Sequence, residues 1–172
     1  MTFEALAQIV EGRRTQKVAQ MNGQKIGANA IKKLLQLADW APTHGKTEPW
    51  RFIVYADAAL AAFCRDHAQM YWEHSPAEKR QETKFNNLKD YPEKASHLVI
   101  VVMKRTPDTK IPVEEEYAAT AAAVQNLLLG AAALSVAAIW STGGMAHSQE
   151  MKAYLGLEAG DKIVAFVYLG KS

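Results

Sequence analysis

The stretch from Tyr117 to Val136 constrains this chain more than any other part of its sequence. It is rich in alanine and leucine and is apolar almost all the way round a helix, so we expect a long helix that is buried on most sides. Glu114, Glu115 and Glu116 precede it, and negative charge in the first turn stabilises a helix through its dipole. A membrane span needs about 20 predominantly apolar residues, whereas several polar residues interrupt this run. The pattern therefore favours a buried helix of a protein without a membrane segment.

A chain of 172 residues can bury such a helix in one core. A folded protein of this size buries about 70% of the surface of its unfolded chain. No linker rich in proline, glycine or serine divides the sequence, so we predict a single domain over residues 1–172. Cys64 is the only cysteine, which excludes a disulfide within the chain and fits a reducing compartment.

The charge balance gives no reason to expect a nucleic-acid partner. Twenty Lys and Arg residues stand against 18 Asp and Glu residues, a net charge of +2, and phosphate backbones call for a strong basic excess. The first residues include Glu4 and Glu11 and no long apolar run, unlike a secretory signal. We therefore expect a cytoplasmic protein with neither a nucleic-acid nor a membrane partner.

Hydrophobic periodicity predicts a mixture of helices and strands. Strands are predicted over 50–55, 97–103, 137–141 and 162–169. Helices are predicted over 3–11, over about 29–40 with Asn29 as its cap, and over 117–136. Three more are predicted to start at Asp57, at the capping box at Ser75 and after Ser148. The helix from Ser75 is expected to run to about Tyr91 and to end before Pro92. Since the strands do not alternate strictly with helices, this order favours an α+β fold or a three-layer α/β/α fold over a doubly wound sheet.

Familiar catalytic motifs do not occur in the sequence. There is no G-x-G-x-x-G, no phosphate loop of the G-x-x-x-x-G-K-[ST] type and no G-x-S-x-G. We therefore assign no catalytic side chain and no metal ligand. His67 and His74 are seven residues apart on one helix and are interpreted as a solvated or half-buried pair, and Cys64 as a core residue.

Three other segments carry candidate binding residues. Arg13-Arg14-Thr15-Gln16-Lys17 offers three cations and a hydroxyl, which suit a phosphate; a solvated basic turn is the alternative. The loop from Trp40 to Phe52 carries His44 between two prolines; the alternative is an ordinary helix-to-strand connection. Ile139-Trp140-Ser141-Thr142-Gly143-Gly144 ends a strand in two glycines, which let a flat ligand approach the backbone; a tight turn explains them equally well.

Together these segments resemble the nitroreductase family of flavin enzymes, over nearly the whole chain. The small members of that family share an A-P-x-H-x-x-x-x-P-W-R-F loop like residues 41–52, and the helix 117–136 and the end 162–170 are also similar. The resemblance implies a three-layer α/β/α fold with a small, mainly antiparallel sheet. It also implies an intertwined homodimer with two FMN molecules at the subunit interface.

The resemblance further implies which residues bind the cofactor. Arg13, Arg14 and Thr15 match the residues that bind the FMN phosphate, and Lys17 matches a cation at the pyrimidine edge of the flavin. Trp40 and His44 match residues that reach the flavin of the other subunit. Trp140, Ser141, Thr142 and Gly143 match the turn that passes over the isoalloxazine.

The implied activity is a ping-pong transfer of hydride from NAD(P)H through FMN to an electron acceptor such as a nitroaromatic or a quinone. A specialised reductive dehalogenase or dehydrogenase and a non-catalytic flavin-binding module are the alternatives. The sequence departs from the family at Trp40, where small members often have arginine. It also ends at Ser172, before a tail that in many members crosses to the partner, although Lys171 can contribute a cation.

Overall fold

The computed structural model describes residues 2–172. It contains a four-stranded sheet with helices on both of its faces. The main elements are α1 (Phe3–Gly12), α2 (Ala28–Ala38), β1 (Trp50–Ala56), α3 (Asp57–His74), α4 (Glu82–Lys94), β2 (His97–Met103), α5 (Val113–Ala133), β3 (Ala137–Ser141), α6 (Gln149–Tyr154) and β4 (Lys162–Gly170).

The strands lie in the order β1-β2-β4-β3, and every neighbouring pair is antiparallel. β2 and β4 occupy the centre and are almost wholly buried. β3 is an edge strand, so its outer side is open to other parts of the chain. This order confirms the prediction of a small antiparallel sheet.

Side chains of β2 alternate between two separate cores, as the two-residue period of a strand requires. Val99, Val101 and Met103 pack with α2 and α5 on one face. Leu98 and Ile100 pack with α3 on the other face. The sheet is therefore the middle of three layers, as predicted.

The long apolar helix is α5, and its burial is the reason for its composition. Its buried residues include Ala123, Leu127 and Ala131, and α2 crosses it closely at Gly130. A Cβ added at Gly130 would lie 2.8 Å from Leu37 Cδ1 and 3.0 Å from Leu34 Cδ2, so a larger residue there would require these α2 side chains to shift. Within residues 2–172, no helix combines the length and the hydrophobicity needed to cross a membrane.

Two predicted helix starts are wrong. α2 is capped by the backbone at Gly27, one residue before Ala28, and Asn29 lies inside the helix. The predicted capping box at Ser75 starts only a single 3₁₀ turn, Ala77–Lys79, after which the chain becomes extended and α4 begins at Glu82.

A buried tyrosine interrupts the helix predicted from Ser75. The Tyr71 hydroxyl donates to the Lys79 carbonyl at 3.1 Å and accepts from the Gln81 N–H at 3.0 Å. These contacts hold the chain in a turn where local sequence favours a helix. The helix was also predicted to end before Pro92, but Pro92 lies in the last turn of α4, which continues to Lys94.

Candidate functional site

A cleft of about 540 Å³ lies where α1 ends. Arg13 and Arg14 line it together with the last turns of α5, with Val136 and Ala138 of the edge-strand region, and with Ser172. The sequence brings both arginines there because α1 ends at Gly12 and the chain leaves it in an extended conformation at Arg13. The lining of the cleft therefore includes a pair of cations.

These cations are not neutralised by the protein. Arg14 donates to the main-chain carbonyls of Glu11 and of Arg13, the latter at 2.9 Å. Within residues 2–172, no carboxylate lies within 4.0 Å of the charged nitrogens of Arg13, Arg14 or Lys17. Uncompensated cations beside exposed hydroxyls such as that of Thr15 form a favourable site for a phosphate.

The basic segment continues along the open edge of β3. The Gln16 N–H donates to the Ala138 carbonyl at 3.0 Å, which ties the segment to the strand. The Lys17 N–H donates to Gln20 Oε1 at 2.8 Å, which fixes the backbone at Lys17, the residue after Gln16. The side chains of Thr15 and Lys17 are exposed, so both are available to a ligand that lies along this edge.

The glycine turn begins at the other end of the same strand. Ser141 ends β3 and lies about 10 Å from Ala138, at the rise of a strand. Its hydroxyl accepts from the Gly143 N–H at 3.4 Å. A ligand with a phosphate at the cleft and a flat ring at the turn would therefore lie along β3.

Trp140 is held by the sheet beside this turn. The register between β2 and β4 shifts after Val101, and Val164 is the extra residue of the resulting bulge. The Trp140 indole N–H donates to the Val164 carbonyl at 3.1 Å. Since its polar edge is used inside the fold, the 37% of Trp140 that is exposed is available mainly for packing.

The structure places Trp40 and His44 outside the cleft that Arg13 and Arg14 line in the same chain. Trp40 is 84% exposed and borders a separate groove with Leu37 and Leu134. His44 Nδ1 lies 2.6 Å from a carboxylate oxygen of Glu115, at the opposite end of α5. Neither residue lines the cleft of its own protomer.

Two residues near these segments were missed by the sequence interpretation. The interpretation of His67 as solvated or half-buried is wrong, because it is 2% exposed and contacts the glycine turn. The apolar face that it shares with Leu60, Phe63 and Cys64 was the available signal. Glu115, assigned only a helix-dipole role, also contacts the candidate residue His44. Cys64 is buried as predicted, and burial raises the pKa of its thiol to about 12.

Comparison with known proteins identifies the family. The family model described as "Nitroreductase family" matches residues 10–171, which span the basic segment, the loop before β1 and the glycine turn. The chain belongs to the nitroreductase family. This finding confirms the resemblance and the fold that it implies.

Similar proteins cover almost the whole chain. "Putative NAD(P)H nitroreductase YfhC" of Bacillus subtilis is 25% identical over 166 residues, covering 96% of this chain and 83% of that protein. The crystal structure of a nitroreductase-like family protein from Bacillus cereus has a TM-score of 0.84 at 25% identity. The match covers 99% of this chain and 87% of that protein. The FMN-dependent nitroreductase NfnB from Mycobacterium smegmatis, crystallised with NADPH, has a TM-score of 0.76 at 16% identity. The match covers 98% of this chain and 88% of that protein.

Proposed function

We propose that this nitroreductase-family chain is an FMN-dependent oxidoreductase that transfers a hydride from NAD(P)H to a small-molecule acceptor such as a nitroaromatic or a quinone. The observation that carries the proposal is the edge of β3, with unneutralised cations near its start and a glycine turn at its end. A cofactor with a phosphate and a flat ring suits both ends. NfnB, a family member of the same fold, is FMN-dependent.

The residues present fit FMN, and each has a distinct role in the proposal. Arg13, Arg14 and Thr15 bind the phosphate, while the Ser141–Gly144 turn lies against the ring. Bound FMN would supply the redox chemistry, accepting a hydride from NAD(P)H and delivering it to the acceptor. The protein therefore needs to position the reactants and set the local charge, and we assign it no catalytic acid or base.

An exposed apolar surface supports a homodimer. No residue of α1 is buried, and Phe3, Leu6 and Val10 expose 78%, 46% and 47% of their surface on one side of this helix. Trp40 and Leu134 are also exposed. Apolar side chains gathered on one side of a helix, as on α1, favour association with another protein surface. In the proposed dimer, Trp40 and His44 reach the cofactor site of the partner.

We expect sedimentation at micromolar concentration to give twice the chain mass of 19.0 kDa. The double substitution Leu6→Glu and Val10→Glu should yield monomers, because it places two charges on the apolar side of α1. Ala61→Glu, on the exposed side of α3, adds the same kind of charge elsewhere and should leave the dimer intact. A wild-type protein that sediments as a monomer would refute the shared site.

The proposed function is tested by the flavin itself. Titrating the apoprotein with FMN should show saturable binding, and the visible flavin absorption should bleach when NADPH or NADH is added without oxygen. Adding a nitroaromatic or a quinone to the reduced protein should restore the visible absorption of the oxidised flavin. Binding without bleaching would indicate a non-catalytic flavin protein, and no binding would refute the proposal.

Since NAD(P)H is a cytoplasmic reductant and the only cysteine is free, we also infer a cytoplasmic location.

Lys17 is expected to tune the flavin potential. In the proposed complex, its ammonium lies near the pyrimidine edge, which becomes more negative on reduction, so it favours the reduced form. Lys17→Met should lower the midpoint potential by roughly 20 mV, equivalent to about 1 kcal/mol, the size of a charge interaction at 4 Å in water. Potentiometry of the two holoproteins measures the shift. Lys162→Met, on β4, is the control, and an unchanged potential in Lys17→Met would contradict the tuning role.

A further inference from the structure

The imidazole of His67 lies behind the glycine turn, inside the core formed by α3. It is 2% exposed, and its ring centroid lies 5.7 Å from that of Phe63 and 5.6 Å from that of Phe166. A histidine surrounded by aromatic rings buries polar nitrogens where an apolar ring would avoid the cost of removing them from water. Its contacts with the turn indicate what the imidazole contributes.

Two contacts join this ring to the turn. The Met145 N–H donates to His67 Nε2 at 3.0 Å, across 78 residues of sequence. Gly144 has a φ of +66°, and a Cβ on it would lie 2.5 Å from Nε2 and 2.9 Å from Cε1. The imidazole therefore fills the hollow that the missing side chain of Gly144 leaves. The backbone conformation of the turn and the position of the ring depend on each other.

The hydrogen bond from Met145 defines which nitrogen of the His67 ring carries the proton. Because Nε2 accepts, the single proton of the neutral imidazole is on Nδ1. Burial, aided by the charge of Lys84, lowers the pKa of His67 to about 4, so the ring stays neutral near neutral pH. Nδ1 has no hydrogen-bond partner within residues 2–172. The one hydrogen bond that the ring makes is thus directed to the turn.

We propose that His67 is a positioning residue that holds the Ser141–Gly144 turn in the conformation that receives the flavin ring. The inference rests on the proposed function. The Ser141 hydroxyl holds the start of the turn by accepting from the Gly143 N–H, and His67 holds its end by packing against Gly144 and accepting from the N–H of the next residue, Met145. With both ends held, the turn does not have to be ordered when the cofactor binds, which strengthens binding.

Three substitutions separate the hydrogen bond from the packing. His67→Gln can place an amide oxygen near the position of Nε2, His67→Asn is too short to do so, and His67→Phe keeps an aromatic ring without an acceptor. We expect His67→Phe and His67→Asn to raise the Kd for FMN about tenfold, as the loss of one hydrogen bond predicts. They should also change the visible circular dichroism of the bound flavin. His67→Gln should stay close to wild type in both measurements.

Leu60→Ala is the control for a loss of stability alone. Leu60 is fully buried on the same face of α3, two turns before His67, and makes no contact with the turn through a polar atom. We expect this variant to unfold more easily but to leave the flavin dichroism unchanged. If Leu60→Ala changes the dichroism as much as His67→Phe does, the assignment of a positioning role is wrong.

Measurements on the protein without flavin test the same contact directly. The Met145 amide should exchange with solvent at least tenfold faster in His67→Phe than in wild type, and the ¹⁵N spectrum of wild type should show an unprotonated Nε2. Together with the FMN titrations, these measurements distinguish a failure of the proposed function from a failure of the positioning role of His67. If the wild-type protein binds no FMN, the proposed function fails while protection of Met145 still supports the contact. If it binds FMN and all three His67 variants match it in Kd and dichroism, the positioning role is overturned.

Discussion

Replacing Arg13 by alanine is expected to weaken FMN binding by about 1.5–3 kcal/mol, a Kd increase of roughly 10- to 150-fold. Arg13 directly follows α1 and lines the cleft, and no carboxylate within residues 2–172 lies within 4.0 Å of its guanidinium nitrogens. Its charge is therefore available to a phosphate, which a guanidinium can bind through two hydrogen bonds. Titration of the apoprotein with FMN, followed by flavin fluorescence, measures the change.

Two further variants make this test specific. Arg65→Ala removes the same charge from the exposed side of α3, where Arg65 pairs with Asp66 at 3.1 Å, and should leave the Kd unchanged. Arg14→Ala should have a smaller effect than Arg13→Ala, because the Arg14 guanidinium is already shared with two main-chain carbonyls. Equal FMN affinity in wild type and Arg13→Ala would place the phosphate elsewhere.

Glu116→Ala is expected to reduce the free energy of unfolding by about 3 kcal/mol. Glu116 is 1% exposed at the start of α5, where its carboxylate bonds with the Arg105 guanidinium and accepts from the Thr106 N–H at 3.4 Å. Breaking a buried ion pair typically costs about 3–5 kcal/mol. We expect the lower end, because the Arg105 side chain is 28% exposed and can be rehydrated.

The control for this substitution lies in the same helical turn. Glu114 is exposed, and Glu114→Ala should cost less than about 1 kcal/mol, the size of a charge–dipole interaction. Urea denaturation of the three proteins compares these free energies. If Glu114→Ala and Glu116→Ala are equally destabilising, the buried pair contributes nothing beyond the dipole.

The contribution of Glu116 should also depend on pH. Burial alone raises the pKa of its carboxyl, but hydrogen bonds from Thr106 and Arg105 and the charge of Arg105 outweigh burial and lower it below 4.5. A carboxyl whose pKa is lower in the folded state stabilises the protein above its unfolded pKa, and this stabilisation is lost as the pH falls through the folded value. The difference in stability between wild type and Glu116→Ala should therefore shrink in acid.

Local sequence predicted most of the elements because each one carries its own periodic signal. The strand at His97–Met103 and the long helix at Val113–Ala133 were predicted within a few residues of their observed bounds. The start of α4 was wrong for a reason outside its own segment. Contacts of the Tyr71 hydroxyl, supplied by α3, overrode the capping box at Ser75.

The residues of the candidate site also fall into two groups, those that the sequence reveals and those that only the packing of the chain reveals. The basic segment Arg13–Lys17 and the glycines of the turn are visible in the sequence, since charge and conformational freedom belong to the residues themselves. Their assignment as cofactor-binding residues stays a prediction, as does that of Trp40 and His44. His67 looked like one more helix residue, because nothing local shows that its ring will meet a backbone 78 residues away.

The sequence by itself determined that this chain would form a mixed fold around one long buried helix, and that cations would follow the first helix. Only the tertiary structure decided the strand order β1-β2-β4-β3, which leaves β3 at an edge with the cations near its start and the turn at its end. It also decided which histidine is buried against that turn. The physical reason is that periodicity and charge act over a few neighbouring residues, whereas strand order and side-chain burial depend on the packing of segments far apart in the chain.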